Sequence, residues 1–486
     1  MEEESLKKKA IKGVGWSLGG SVASYGITFL VGIVLARLLS PEEYGLIGII
    51  TIFITIANNL VDSGFSQALI RKNDATDLDF NTAFYTNLFV SIFIAVVLSI
   101  CAPFISDFFD RPELTALTQV MSVLVIINAF CLIQNTVIVK NLKFKIQTKC
   151  SITSSLLSGV IGIFMAYSGY GVWSLVCQQI SKQLFNTIFL WMVNRWLPSF
   201  QFSFSSLKEQ WAFGWKLLAS TMLNSIWSEI YQVVIGKCYS PQTLGLYTKA
   251  KEYPRLFSQN LQEVIQKVSY PTLSKLQDDK QVLKAAYKKI IKVSMLLTSV
   301  LMFGLAGVAK PLILILIGEK WLPCVPFMQI ICFNMVLYPL HSLNLNMLKV
   351  QGRSDLFLKL EIYKKIIAIL PILLGVFFNI YWMLICSVFT GVIAYYLNVY
   401  YSGPFLNYSI KEQVLDVLPS LAIGLSMAVI LYLLSLFNIM PVALILIQIA
   451  IGTGYVFLVC EYFRLDEYLE LKKLSLQFVD KIRRGK

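Results

Sequence analysis

The sequence predicts an all-α polytopic membrane protein of about 14 transmembrane helices in two lobes. Three observations predict it: an apolar composition, a charge pattern laid out by side, and an internal repeat. The 486 residues are 56% hydrophobic and only 14% charged, with a mean hydropathy of +0.67, far from an ordinary soluble domain. Apolar stretches of roughly 20 residues, each long enough to cross a bilayer, recur along nearly the whole chain.

In order, the expected spans are roughly 13–38, 44–70, 81–105, 114–138, 146–168, 171–193, 211–236, 243–270, 291–317, 323–348, 360–379, 381–402, 414–437 and 441–463. The eighth carries Lys249, Lys251, Glu252, Arg255 and Glu263, so hydropathy alone would miss it. The repeat restores it. Leu38-Leu39-Ser40-Pro41-Glu42-Glu43-Tyr44-Gly45-Leu46 returns as Cys238-Tyr239-Ser240-Pro241-Gln242-Thr243-Leu244-Gly245-Leu246. At the same offset Asn58, Asn59, Asp62, Ser63 and Ser66 map onto Ser258, Gln259, Gln262, Glu263 and Gln266. Polar positions therefore recur inside both following helices. An internal repeat in an apolar chain points to a two-lobed transporter, with its site between the lobes.

The expected organisation is a cytoplasmic tail over 1–12, an N-lobe over 13–203 (helices 1–6), a C-lobe over 204–404 (helices 7–12), helices 13–14 over 405–463, and a cytoplasmic amphipathic tail over 464–486, boundaries good to roughly several residues. In that tail Leu471, Leu474, Phe478 and Ile482 oppose Lys472, Lys473, Lys481 and Arg483. With alternate loops assigned to opposite faces, about 32 of the 42 Lys and Arg fall on the face holding both termini. Only Arg37, Arg111, Lys237, Lys310 and Lys320 fall near the other. The bias makes both termini cytoplasmic and the span count even. The net charge of +14 is then a topology signal plus attraction to anionic membrane lipids, and it does not call for nucleic acid. The first apolar stretch is too long for a cleavable signal and reads as a span. Nine scattered cysteines without a Cys-x-x-Cys pair suggest neither a disulfide framework nor a zinc site.

Little in the chain suggests catalysis, so we expect no enzyme, no cofactor and no bound metal. The single histidine, His341 beside Pro339, reads as a packed or hydrogen-bonded side chain rather than a proton-coupling one. No phosphate-binding loop is present, and Gly15-x-x-x-Gly19 reads as a helix-packing face. Asp77-Leu78-Asp79 has the form of the metal-binding Asp-x-Asp of sugar transferases. In a short loop with no nucleotide-binding domain around it, it reads as solvated.

Polarity inside the membrane is expensive and usually faces a cavity. On the seventh span Lys216, Ser220, Asn224, Trp227 and Tyr231 share one helical face. A cation for phosphate, amide and hydroxyl for sugar hydroxyls, and aromatic faces for pyranose rings make a glycan-lining surface; a polar seam sealed between helices is the plainer alternative. On the eighth, Lys251, Arg255, Ser258, Gln262 and Gln266 share a face. The fork of donors on Arg255 suits a diphosphate, whereas Lys251 could instead snorkel. In the first lobe Ser17, Ser21, Ser24 and Thr28 line one face of span one, and Asn58, Asp62 and Ser66 one face of span two. The first lobe is thus expected to supply hydroxyls and one carboxylate, the second the cations. Asp62 and Glu229 are the candidate ion-coupling carboxylates.

Gly15-Trp16-Ser17, Leu35-Ala36-Arg37-Leu38-Leu39-Ser40-Pro41-x-x-Tyr44-Gly45 and Asp62-Ser63-Gly64-Phe65-Ser66-Gln67-Ala68-Leu69-Ile70 resemble the Wzx-type polysaccharide flippases. So do Tyr270-Pro271 with Leu276-Gln277-Asp278-Asp279, and Gly318-Glu319-Lys320-Trp321-Leu322-Pro323. The resemblance spans essentially the whole chain and is to the colanic-acid and lipopolysaccharide exporter branch of the multidrug/oligosaccharidyl-lipid/polysaccharide exporter superfamily. It implies two pseudo-symmetric six-helix lobes plus two C-terminal helices, a cationic central cavity and alternating access. The implied cargo is an undecaprenyl-diphosphate-linked oligosaccharide repeat unit, moved from the cytoplasmic to the outer leaflet of a bacterial inner membrane for capsule, O-antigen or exopolysaccharide assembly. The implied partners are that lipid-linked oligosaccharide, membrane lipids and the polysaccharide polymerase machinery. Span one lacks the proline and the acidic residue of the ion-coupled drug exporters, which leaves the coupling ion open. A cation-coupled drug antiporter would want acidic cavity residues to outnumber basic ones. A membrane glycan polymerase or ligase would want an external domain.

The charge bias makes a direct prediction. Reporter fusions at residue 12 and after Arg464 read cytoplasmic, and one at Asp107 reads external; opposite signals at the two termini would require an odd number of spans and end the two-lobe architecture.

Overall fold

The computed structural model describes residue 20 and residues 23–194, 196–276, 279–437, 439–473 and 477. Ser17 and Ser21 of span one, and Leu474, Phe478, Lys481, Ile482 and Arg483 of the tail, lie outside the described residues. Those described form helices α1 (Ala23–Leu38), α2 (Pro41–Asp62), α3 (Phe65–Arg71), α4 (Asp77–Phe109), α5 (Glu113–Lys140), α6 (Phe144–Tyr167), α7 (Val172–Val193), α8 (Phe204–Cys238) and α9 (Pro241–Lys275). They continue as α10 (Lys280–Gly307), α11 (Ala309–Leu316), α12 (Val325–Val336), α13 (Tyr338–Val350), α14 (Ser354–Ile367), α15 (Ile369–Phe377), α16 (Ile380–Ser402), α17 (Ile410–Leu434) and α18 (Pro441–Tyr462). A helix or two consecutive helices cover each expected span as far as the described residues reach. Nine of these segments are long and apolar enough to cross a membrane; α9, with its charges, is not among them. Large apolar side chains lie bare along whole helix faces, such as Phe89, Phe93, Ile100 and Phe104 on α4. Exposure on that scale suits lipid, not water.

Each copy of the repeat is a helix start. Ser40 caps α2: its hydroxyl accepts from the Glu43 amide at 3.4 Å while the Glu43 carboxylate accepts from the Ser40 amide at 2.5 Å. Pro41 follows at the first helical position, where its missing N–H costs nothing. Ser240 repeats the device before Pro241, accepting from the Thr243 amide at 3.2 Å. The glycines explain the rest of the spacing. A Cβ on Gly45 would lie 1.8 Å from the Pro241 carbonyl oxygen, and one on Gly245 would lie 1.8 Å from that of Pro41. The two motifs meet each other, backbone on backbone, and only glycine allows that approach.

Contacts divide the chain into two compact units, Met1–Gly245 and Leu246–Lys486. The expected lobe boundary at 203/204 followed the repeat; by contacts α8 goes with the first unit. Its attachments there are specific. At the break between α2 and α3, Ser63 and Gly64 adopt left-handed φ of 46° and 76°, and a Cβ on Gly64 would sit 2.7 Å from the Gly214 carbonyl oxygen of α8. Asn59 Nδ2 donates to Ser225 Oγ at 2.7 Å. Phe65, Leu69, Phe80, Phe84 and Ile133 form a buried cluster, with Trp191 and Trp196 against it.

Asp79 corrects the sequence reading. It is not solvated but 4% exposed. It caps α4 by accepting from the Thr76 amide at 2.9 Å, and it accepts from Ser206 Oγ of α8 at 2.5 Å and pairs with Lys72 at 3.3 Å. Lys72 also bonds Glu209 of α8 at 2.9 Å, a contact that raises its amine above the usual lysine value. Asp79 is thus a structural clasp between two helices, while Asp77 is exposed, as the sequence reading had it.

In the second unit α10 runs along α17. Lys284, Lys288 and Lys292 stand one turn apart on α10 and meet Glu412 and Asp416 of α17 at 2.7–3.3 Å. Leu296, Ile423 and Cys460 tie the pair to α18.

The motif crossing gives a stability test. Gly45→Ala and Gly245→Ala each lower the melting temperature of the purified protein by a similar amount, each costing about 1–3 kcal/mol through overpacking. Gly26→Ala, with nothing within 4 Å of the added Cβ, is neutral or slightly stabilising. Unchanged melting in both crossing variants would mean the contact bears no load.

Candidate functional site

In the first unit the seventh-span face of α8 presents Lys216, Ser220 and Asn224 exposed and Trp227 and Tyr231 half-buried. The Lys216 ammonium lies 6.0 Å from the Trp215 ring. Glu229 is half-buried and accepts from Gln232 Nε2 and, at 3.2 Å, from Ser228 Oγ. On α2, Asp62 accepts from the Ser66 amide and hydroxyl at 3.3 and 2.5 Å. Asn58 Oδ1 accepts from Asn128 Nδ2 of α5 at 3.0 Å, and Asn128 Oδ1 accepts from Gln183 Nε2 of α7 at 3.0 Å. An amide chain therefore links three helices through the interior of this unit.

Sequence reasoning missed the neighbour of Gln183. Lys182 Nζ donates to Thr28 Oγ1 of α1 at 3.3 Å, and one turn along α1 Ser24 Oγ lies 2.9 Å from Ser151 Oγ of α6. The hydroxyl face read on span one thus meets a cation, where hydroxyls and a carboxylate alone were expected. A usable signal existed: Lys182 is the sole charged residue between 171 and 193.

In the second unit the charges of α9 sort themselves. Lys249 is buried and spent on Glu252 at 2.7 Å. Lys251 is half-buried, its ammonium 5.9 Å from the Tyr247 ring. Arg255 is exposed and makes no ion pair among the described residues. Gln262 is buried with neither amide atom hydrogen-bonded, and Gln266 Nε2 donates to Ser342 Oγ at 2.7 Å. His341 is a packed histidine, with Nδ1 3.0 Å from Asn398 Nδ2 and its ring edge-on to Tyr395.

A second feature of this unit had no sequence signal. Between α9, α10, α17 and α18 lies an apolar groove of about 580 Å³, lined by Phe257, Leu301, Gly304, Met427, Leu431 and Gly452 among others. The small residues that open it look in sequence like any packing glycines. Phe257 is two residues from Arg255, so on a helix of about 100° per residue the two point to nearly opposite sides. One helix turns a cation one way and an apolar groove wall the other. Among the described residues no group of three or more His, Cys, Asp or Glu could hold a metal ion.

The fold and these intramembrane faces define a multi-span membrane transporter. The chain belongs to a family of polysaccharide biosynthesis proteins, whose model matches residues 34–326. The lipopolysaccharide biosynthesis protein WzxC of Escherichia coli is 23% identical over 88% of this chain and 89% of its own. The teichuronic acid biosynthesis protein TuaB of Bacillus subtilis is 25% identical over 72% and 73%. The succinoglycan biosynthesis transport protein ExoT of Rhizobium meliloti is 25% identical over 67% of this chain and 66% of its own length, just under two thirds. In fold, the chain is similar to the lipid II flippase MurJ in an inward closed conformation, with a TM-score of 0.70 and 15% identity over 92% of this chain and 98% of that one. An inward-facing multidrug resistance MATE family transporter gives 0.60 and 13% over 80% and 99%.

The amide chain is testable without knowledge of the cargo. Asn128→Leu strips the partners from Asn58 Oδ1 and Gln183 Nε2 together and costs roughly 1–3 kcal/mol, read as a lower melting temperature. A variant that melts with wild type would show that water replaces the amide at no cost.

Proposed function

We propose that the protein is a flippase for undecaprenyl-diphosphate-linked oligosaccharide repeat units, carrying them from the cytoplasmic to the outer leaflet by alternating access for polysaccharide assembly. One observation carries the reading: α9 bears Arg255 on one face and Phe257, a wall of the apolar groove, on the other. An amphiphile with an anionic head and a long hydrocarbon tail needs that pair of surfaces. A diphosphate with several sugars cannot cross hydrocarbon unaided, so the head needs donors and water. The polyprenyl chain needs only apolar contact, and the groove offers a place for it. Arg255 holds phosphate oxygens through its fork of donors, with Lys251 beside it. On α8, Asn224 hydrogen-bonds sugar hydroxyls, Trp227 and Tyr231 stack on pyranose rings, and Lys216 adds positive charge. Gln262, with both amide atoms unpartnered, and Asn58 complete the set of polar ligands. Asp62 and Glu229 are the carboxylates through which an ion gradient would act. The named activities of the relatives, succinoglycan transport and lipopolysaccharide and teichuronic acid biosynthesis, agree with this class of cargo. The polymerase that consumes the flipped repeat units is its downstream partner, in an inner membrane with both termini of the chain cytoplasmic.

Deleting the gene makes lipid-linked repeat units accumulate on the cytoplasmic leaflet. Arg255→Ala abolishes most polymer export at normal membrane abundance, with cargo affinity down about tenfold to a hundredfold for a lost charged hydrogen bond. Arg255→Lys restores only part, because an ammonium cannot make the bidentate contact. Wild-type export from the alanine variant would remove Arg255 from the mechanism. Alanine at Trp227 or Tyr231 changes which repeat units move; loss of transport only in proportion to folded protein would make those positions packing seams.

A further inference from the structure

Lys182 is the eleventh of the 22 residues of α7, roughly 16 Å from either end at 1.5 Å per residue. A four-carbon stem cannot snorkel that far. Its one described partner is the hydroxyl of Thr28, at 3.3 Å, and among the described residues it forms no ion pair. An ammonium has three donors, so two remain unspent. The side chain is half-buried, as are Thr28, Asn128 and Gln183, so this polar patch is not sealed. By contrast, among the described residues Lys249 is compensated by Glu252 and Lys140 by the carbonyls of Leu69 and Lys72. Holding a bare cation at mid-membrane costs several kcal/mol as a rule, and the arrival of an oxyanion offsets that cost.

We propose that Lys182 and Thr28 form an anion subsite inside the first unit, separate from Arg255, that takes an acidic group of the lipid-linked glycan. The shared chemistry is an oxyanion, and two parts of the cargo offer one: the diphosphate and a sugar carboxylate. Lys182 supplies charge and two donors, and the Thr28 hydroxyl a third. One turn along α1 the hydroxyls of Ser24 and Ser151, 2.9 Å from each other, extend the polar surface. The subsite rests on the flippase reading and extends it to selectivity for acidic cargo.

The test uses the full chain in lipid nanodiscs and three probes: farnesyl-diphospho-N-acetylglucosamine, farnesyl glucuronide, and farnesyl glucoside as the uncharged control. Lys182→Met weakens binding of at least one acidic probe tenfold or more and leaves the glucoside unchanged; the affected probe names the source of the oxyanion. Lys182→Arg retains most of the affinity, and Thr28→Val loses a smaller factor. The melting temperature supplies a readout that packing support would move the other way. Removing an uncompensated buried charge leaves Lys182→Met as stable as wild type or more so. Equal binding of both acidic probes by wild type and Lys182→Met overturns the subsite alone. A lowered melting temperature with parallel loss of all three probes makes Lys182 a packing residue and also overturns it. Wild-type protein that binds neither acidic probe better than the glucoside overturns the flippase reading and the subsite together.

Discussion

A charge or an amide taken out of water must find a partner, and this constraint sorts the polar residues of the chain. Asp79 meets it by capping α4 and binding Ser206 and Lys72. Lys284, Lys288 and Lys292 meet it by facing Glu412 and Asp416 across two helices. Lys249 meets it with Glu252. These residues hold helices together. Among the described residues Arg255 and Lys182 form no ion pair, and the proposed function assigns them to an anion brought from outside. The separation of paired from unpaired charge is therefore an energetic one, read from partners rather than from residue type.

The second constraint is close backbone approach. At Gly45 and Gly245 the two motif copies press carbonyls against the position a Cβ would fill, and at Gly64 and Gly214 the α2–α3 break does the same to α8. Helix association in lipid has no hydrophobic drive, so contacts of this kind, with their dispersion gain and short dipolar distances, carry the packing. They also fix the rotation of α8. With Gly214 and Ser225 turned inward, Lys216, Ser220 and Asn224 are among the residues left exposed on α8.

Apolar and polar surfaces then divide along α9. Its groove side is built from Gly304 and Gly452 opposite Phe257, Met427 and Leu431, a surface suited to a flexible chain rather than a rigid ring. Its other side carries Arg255. A soluble sugar carrier would need no such groove, and a carrier of purely apolar drugs no exposed guanidinium.

The sequence by itself determined the helical membrane class, the helix starts at Ser40 and Ser240, and the polar faces on α2, α8 and α9. These follow from local rules: hydropathy over a span length, the chemistry of an N-cap, and the helical period. It also carried the signal for Lys182, a lone charge in an apolar span. Whether a given polar residue was already spent was decided only by tertiary structure. Asp79 looked solvated and proved buried, Lys249 stood as one charge among five on its span and proved paired, and Lys182 met the hydroxyl face of α1. Partnership is set by contacts between helices far apart in the chain, and local periodicity holds no information about which faces meet. The groove by Phe257 arises the same way: four helices of two distant stretches leave a gap that none of them encodes alone.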